Sequence, residues 1–300
     1  MSAPRLISLI VTTYNRSDAL LAVLRALQLQ RDRGFEVIVA DDGSTAEHVQ
    51  RLQAAAPGLD LDLTHAWQAD VGFTAAAALN LGVRQALGDY LVFLDGDCLP
   101  LPDFVARHRG LARPGCLVNG SRVLLSPELS AQALRQGLQL PAMPWGWWLR
   151  QRLRGGCNKW AGLRLRWPAA LRRARPQFRW KGIRSCNLGT WLSDYQAVDG
   201  FDEVFDGWGH EDADLVLRLQ RHGCARIDGF WATEVLHLWH AEAARDGQGH
   251  NLERVRDRMQ GSMVRAVHGL SNPRMPELER RVQLLGARHA AAAAATGASA

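Results

Sequence analysis

Leu6-Ile7-Ser8-Leu9-Ile10-Val11-Thr12-Thr13-Tyr14-Asn15-Arg16 begins as an aliphatic, partly β-branched run and turns abruptly polar. Such a run suits a strand buried on both faces of a parallel sheet. Leu20, Leu21, Leu24 and Leu27 then recur at helical spacing behind Ser17, which predicts a helix over about 17–30 capped by that serine. Phe35-Glu36-Val37-Ile38-Val39-Ala40 is a second strand, and it stops at Asp41-Asp42-Gly43-Ser44. Strand, helix, strand at this spacing is a βαβ unit, whose right-handed crossover brings both strand ends to one edge of the sheet. Ligands of open α/β sheets bind at those carboxyl ends. Tyr14 and Asp42 are therefore expected to face one crevice.

Further along, a helix is predicted over 47–56, an edge strand over 61–66, and an alanine-rich helix over 74–87 whose small side chains permit close packing on the sheet. Tyr90-Leu91-Val92-Phe93-Leu94 reads as a core strand and ends at Asp95-Gly96-Asp97. Two aspartates one residue apart at a strand end form a hard-oxygen site suited to Mg²⁺ or Mn²⁺ with substrate phosphates. The same triplet is common in surface turns, so alone it decides little.

Composition bounds the rest. Three hundred residues with 47% hydrophobic content can bury a full core. No apolar run approaches the ~20 residues of a membrane span, and the first ten residues lack a signal-peptide pattern, so a cytoplasmic protein is expected. Five cysteines, an odd number without a CxxC pair, suggest neither a disulfide framework nor a zinc knuckle and read as reduced, mostly structural thiols. The net charge of +6 is local: residues 129–193 hold thirteen Arg or Lys, no Asp or Glu, and seven of the eleven tryptophans, while the remainder is formally −7. Pro141, Pro144, Pro168 and Pro176 break this basic segment, so short helices near 147–153 and 169–175 are expected instead of one long one.

Strand character returns at 181–188, and Gly207-Trp208-Gly209-His210-Glu211-Asp212-Ala213-Asp214-Leu215 follows. Three carboxylates crowd a predicted helix start, where unpaired N–H groups and the helix dipole favour the charged form. An ionised carboxylate beside an indole able to stack on a sugar ring is what a hydroxyl-activating base requires. The plainer reading is an acidic helix start with a buried tryptophan. Short strands over 227–233 and 234–238 run into His237-Leu238-Trp239-His240, helices are predicted over 251–268 and 276–288, and the alanine-rich tail beyond 289 is expected to fray.

Taken in order, strand-Thr-Thr-Tyr-Asn-Arg, strand-Asp-Asp-Gly-Ser, strand-Asp-Gly-Asp, the 207–215 stretch and the late His-Leu-Trp-His resemble a family 2 glycosyltransferase of the GT-A fold. The acceptor half resembles galactosyltransferases and chondroitin-polymerase-type enzymes, and the likeness covers roughly residues 5 to 245. It implies a Rossmann-like α/β fold with a mostly parallel central sheet flanked by helices, in a single catalytic domain with a C-terminal helical extension. Residues 1–120 would be the nucleotide-sugar half, 121–245 the acceptor half including the basic Trp-rich insertion 129–193, and 246–300 C-terminal helices with a disordered tail.

The resemblance makes Tyr14 the partner stacked on the nucleotide base and Asp42 the carboxylate reading uracil or ribose, with Thr12 and Arg16 lining the pocket. Asp95 and Asp97 would hold ribose and metal-bound diphosphate, with Asp97 the more direct ligand of Mn²⁺ or Mg²⁺ and His237 and His240 completing the shell. Trp208 would stack on the acceptor sugar, Glu211 would hold its hydroxyls, Asn187 would join them on the acceptor side, and Asp212 would be the base. Many relatives carry Arg where this chain has Leu79 before Asn80, so a diphosphate contact is expected from elsewhere, Arg84 or a basic residue of 129–193. The implied reaction is inverting transfer from a nucleotide sugar, UDP-linked by preference, to a glycan or lipid-linked glycan acceptor in cell-surface polysaccharide synthesis, with no nucleic-acid partner. Trp and Arg side chains suit headgroup depth and anionic lipid, so 145–181 is expected to touch the inner membrane face; lining a groove for an anionic acceptor or the donor diphosphate is the alternative. Two other classes compete. A nucleotidyltransferase would show a Gly-rich phosphate loop with lysine after the first strand, and a non-catalytic Arg/Trp nucleic-acid or anionic-glycan binder would leave the carboxylate motifs without a role.

Overall fold

The computed structural model describes residues 3–165, 167–241 and 248–286. In chain order the elements are β1 (Ile7–Thr13), α1 (Ser17–Gln28), β2 (Phe35–Asp41), α2 (Ala46–Ala55), β3 (Leu63–Gln68), α3 (Ala75–Val83), β4 (Tyr90–Asp95), β5 (Cys98–Pro100), α4 (Phe104–Leu111), β6 (Cys116–Asn119) and β7 (Ser121–Leu124). They continue with α5 (Pro127–Gln136), α6 (Trp145–Leu153), β8 (Ala174–Arg175), β9 (Asn187–Trp191), α7 (Leu192–Ala197), α8 (Glu211–Arg221), β10 (Ala225–Asp228), β11 (Glu234–His237), α9 (Gln248–Gln260) and β12 (Arg280–Leu284). Nine strands form one sheet in the order β12-β3-β2-β1-β4-β9-β6-β10-β8, and β5-β11-β7 form a second, smaller one.

Both faces of the large sheet are covered, as the aliphatic strands require. Alternation along β1 sends Ile7, Leu9 and Val11 to one side, where they meet Leu20, Val23, Leu24 and Leu27 of α1. Ile10 points to the other side, toward Leu79 and Leu81 of α3 and Leu215, Val216 and Leu219 of α8. Helix α3 lies close on the sheet because it is small: a Cβ built on Gly82 would stand 3.1 Å from Ile10 and 3.2 Å from Ala40.

As expected the large sheet is mostly parallel: β3, β2, β1, β4, β6 and β10 run one way, and β12, β9 and β8 run antiparallel to their neighbours. Several other expectations are corrected. Residues 129–193 are not wholly an insertion, since β9 stands at the centre of the sheet between β4 and β6. Of the helix expected over 276–288, the described residues 276–286 are not helical: Arg280–Leu284 pairs antiparallel with β3, register Val282 to Ala66. An uncovered β3 would present unpaired backbone groups, and this pairing satisfies them, so β3 is not an edge. The helix predicted over 251–268 ends at Gln260. The one over 169–175 shrinks to a single turn before β8, and the strand predicted over 181–188 begins only at Asn187. Arg16, not Ser17, is the N-cap of α1, and the Ser17 hydroxyl instead meets His48 Nδ1 at 2.8 Å. The predicted fraying beyond 289 lies outside the described residues.

Candidate active site

One cavity of about 880 Å³ opens where the carboxyl ends of β1, β2 and β4 meet the small sheet and the N-terminus of α8. It gathers Thr12, Tyr14, Arg16, Asp42, Asp95, Asp97, Trp208, Glu211, Asp212, His237 and His240 along its walls. Of the candidate residues only Asn187 lies elsewhere. It is fully buried. Its amide donates to the carbonyls of Ser121 (3.1 Å) and Thr233, and its Oδ1 meets His108 Nε2 at 3.0 Å. Asn187 therefore ties β9 to β7 and to the residue preceding β11, and its polar atoms are spent there.

Asp42 follows β2, and its backbone N–H donates to Thr13 O at 3.0 Å. Its carboxyl accepts from Thr74 N (2.9 Å), Thr74 Oγ1 (2.6 Å) and Gln68 Nε2 (2.8 Å). Burial nevertheless raises its pKa to about 6 against those bonds. Tyr14, half-exposed, donates its hydroxyl to Asp70 Oδ2 at 2.9 Å, which raises its pKa and leaves the ring face open.

Asp95 ends β4 opposite Thr12, whose hydroxyl reaches it at 3.3 Å. The turn beyond it needs glycine, because a Cβ on Gly96 would lie 2.5 Å from Thr12 O. Next along, the small sheet sets His237 of β11 in register with Cys98, and Leu238 N–H donates to Asp97 O at 2.9 Å. His237 Nε2 thus stands 3.7 Å and His240 Nε2 3.3 Å from the Asp97 carboxylate. The ligand atoms of all three lie within 4.8 Å of one another. One carboxylate and two imidazoles suit Mn²⁺ or a similar divalent ion. Burial lowers the pKa of His237 to about 4, which keeps it in the neutral form that coordinates metal. Asp95 belongs to a different group, with the thiols of Cys98 and Cys186, and burial beside Asp97 raises its pKa to about 7. All five cysteines are buried and unpaired.

Across the cavity, His210 adopts φ 74° before α8 and leaves Glu211 and Asp212 in its first turn. Asp212 is held by two backbone donors, Ala213 N at 2.7 Å and Ser185 N at 3.2 Å. Glu211 Oε2 is buried without a partner. The helix dipole was expected to keep these groups ionised; burial outweighs it, raising Asp212 and pushing Glu211, beside Asp212, up to about 8. Arg84 is turned away, donating to Leu270 O at 3.0 Å. The sequence reading did not single out Arg122, Trp180 or His210, all of which line the cavity. Trp180 could have been found as a member of the basic segment, whereas Arg122 announces itself only as the one charge between Arg113 and Glu128.

Residues 8–146 match the model of glycosyl transferase family 2, and residues 166–240 match that described as the N-terminal domain of galactosyltransferase. A validoxylamine A glucosyltransferase of Streptomyces hygroscopicus subsp. jinggangensis is 30% identical over 236 residues, 73% of this chain and 52% of the relative. A chondroitin synthase of Escherichia coli is 29% identical over 73% of this chain and 32% of its own length. The chain thus spans about half of the first relative and a third of the second. A mannosyltransferase of Pyrobaculum calidifontis, solved with GDP-Man and Mn²⁺, superposes with a TM-score of 0.55 at 20% identity, covering 87% of this chain and 66% of that one. Family match, relatives and fold converge with the cavity just described: residues 8–146 belong to glycosyl transferase family 2, carried on a GT-A fold and completed by a galactosyltransferase-type segment.

Proposed function

We propose that this chain is an inverting hexosyltransferase that moves a sugar from a nucleotide diphosphate donor, UDP-hexose or UDP-N-acetylhexosamine, to a hydroxyl of a glycan or lipid-linked glycan in cell-surface polysaccharide synthesis. The observation that carries the reading is the placement of Asp97, His237 and His240 across one cavity from Glu211 and Asp212. Tyr14 stacks on the base, Asp42 reads uracil or ribose, Thr12 and Arg16 line that pocket, and Asp95 holds ribose and diphosphate. Asp97, His237 and His240 hold Mn²⁺ or Mg²⁺, which when bound offsets the charge of the diphosphate. The mannosyltransferase neighbour, solved with Mn²⁺, supports a divalent ion here.

Trp208 offers its indole face to the acceptor sugar. Glu211, which keeps its proton at neutral pH, donates to an acceptor oxygen. Asp212 takes the proton of the attacking hydroxyl, whose oxygen bonds to C1 as the C1–O bond to phosphate breaks and its electron pair leaves with the diphosphate. An α-linked donor thereby gives a β-glycoside. Titration of UDP into wild type and Asp97→Ala, with Mn²⁺ and with EDTA, tests the donor half. Binding should require the ion and fail in the variant; equal affinity in EDTA removes the metal from the account.

We further propose that part of 145–181 rests on the inner membrane face. Trp148 is buried, Trp147, Trp160 and Trp191 pack against the core, and Trp180 lines the cavity, so the tryptophans are mostly spent inside. What supports the reading is the remaining exposed apolar set, Trp145, Leu153, Leu165, Trp167 and Leu171, interleaved with exposed Arg152, Arg154, Arg164 and Arg173. Each basic residue near anionic lipid contributes about 1 kcal/mol. Flotation with anionic vesicles at low salt should carry the protein upward, and failure to float discards the contact.

A further inference from the structure

We propose that Arg122 is a diphosphate-binding residue of the donor site, filling the place that Leu79 leaves without a cation. The proposal rests on the donor reading above. Arg122 lies on β7, in register with Val235 of β11, and its half-buried side chain lines the cavity. It faces the same cavity as Asp95, Asp97 and His237.

Among the described residues the only hydrogen bond of this guanidinium runs from NH1 to Cys186 Sγ at 3.9 Å. Sulfur is a weak acceptor, and guanidinium presents five donors in a planar fork matched to phosphate oxygens. A partly desolvated cation with most of its fork unspent has donors available to the oxygens of an anionic ligand. The other bases are worse placed. Arg84 donates to Gly269 O and Leu270 O, Arg16 is paired with Asp18 at 3.4 Å, and Arg184 stands exposed at the rim. Leu79 lines the cavity as an apolar side chain.

In the bound donor the Arg122 fork donates to non-bridging diphosphate oxygens. When the C1–O bond breaks and its electron pair passes to the leaving phosphate oxygen, the fixed positive charge on β7 opposes the charge that accumulates there. Cys186 Sγ accepts only weakly, and from NH1 alone, which leaves the other donors to phosphate.

Calorimetric titration of uridine and of UDP, each with Mn²⁺, into wild type, Arg122→Gln and Arg122→Lys separates this from a structural role. Losing a charge-assisted hydrogen bond should weaken UDP about 10- to 100-fold in Arg122→Gln. Uridine affinity should be unchanged, and Arg122→Lys, which keeps the charge but not the fork, should fall between. UDP and uridine weakened alike, or UDP unaffected, overturns the role of Arg122 while leaving the donor site standing. A wild type that binds neither compound overturns the donor reading and this proposal with it.

Discussion

Glu211 and Asp212 are adjacent in sequence yet differ in how they are held: Asp212 by two backbone N–H donors, Glu211 with one oxygen buried and unpartnered. The folded state binds a proton on Glu211 up to pH about 8, whereas an unfolded glutamate loses it near its ordinary value. Between those limits the native state holds the extra proton, so unfolding free energy falls as pH rises through the window. Glu211→Gln has no proton to lose. The ligand-free variant should therefore be more stable than wild type at pH 8, by on the order of 1–3 kcal/mol, and nearly equal to it at pH 5. Thermal unfolding across that range checks this, and parallel profiles for the two proteins would contradict it. A functional residue that costs stability is a familiar trade. The identity of these acids was legible in the sequence, because three carboxylates follow a Gly-Trp-Gly. Their protonation was not, because the helix-dipole argument omits how deeply the rest of the chain encloses them.

Helix α8, which presents those acids, is fixed by one ion pair at helical spacing and by others that reach beyond the helix. Asp214 binds Arg218 at 2.7 Å and Arg258 of α9 at 2.5 Å, and Arg258 also reaches Asp202 at 2.8 Å. Arg218, fully buried, donates to Val198 O and Gly200 O. Arg258→Ala would leave two buried carboxylates short of a partner, a change that costs about 3–5 kcal/mol where no charge replaces the lost one. Denaturant unfolding should show a loss toward the lower end of that range, since Asp214 keeps Arg218; a loss below about 1 kcal/mol would show that water or another base takes over. At this scale residues 1–97 were readable, because β1, β2 and β4 are aliphatic runs ending in polar motifs. Residues 98–125 were not, because β5, β6 and β7 are three or four residues long and alternate too briefly to announce themselves. Strand β12 was misread as helix because nothing local tells an exposed Arg-Arg-Val-Gln-Leu that an open edge awaits it.

The molecule as a whole combines a sheet that ends at Asp95 and Asp97 with a helix that brings Glu211 and Asp212 to the same cavity. The small sheet makes the join, since β11 carries His237 from a point 140 residues beyond Asp97 back to its side. That return was expected from the resemblance and not from spacing, which cannot show that two distant strands pair. Under the proposed function this divides the labour: the Asp97 side would bind the donor and Asp212 would remove the proton. The most direct test is Asp212→Asn, assayed for UDP affinity with Mn²⁺ and for turnover with an α-linked UDP-sugar and an acceptor. The account predicts unchanged UDP affinity, a turnover lower by about 10²–10⁴-fold, and a β-linked product from wild type. Near-normal turnover in the variant, or an α-linked product from wild type, would contradict it.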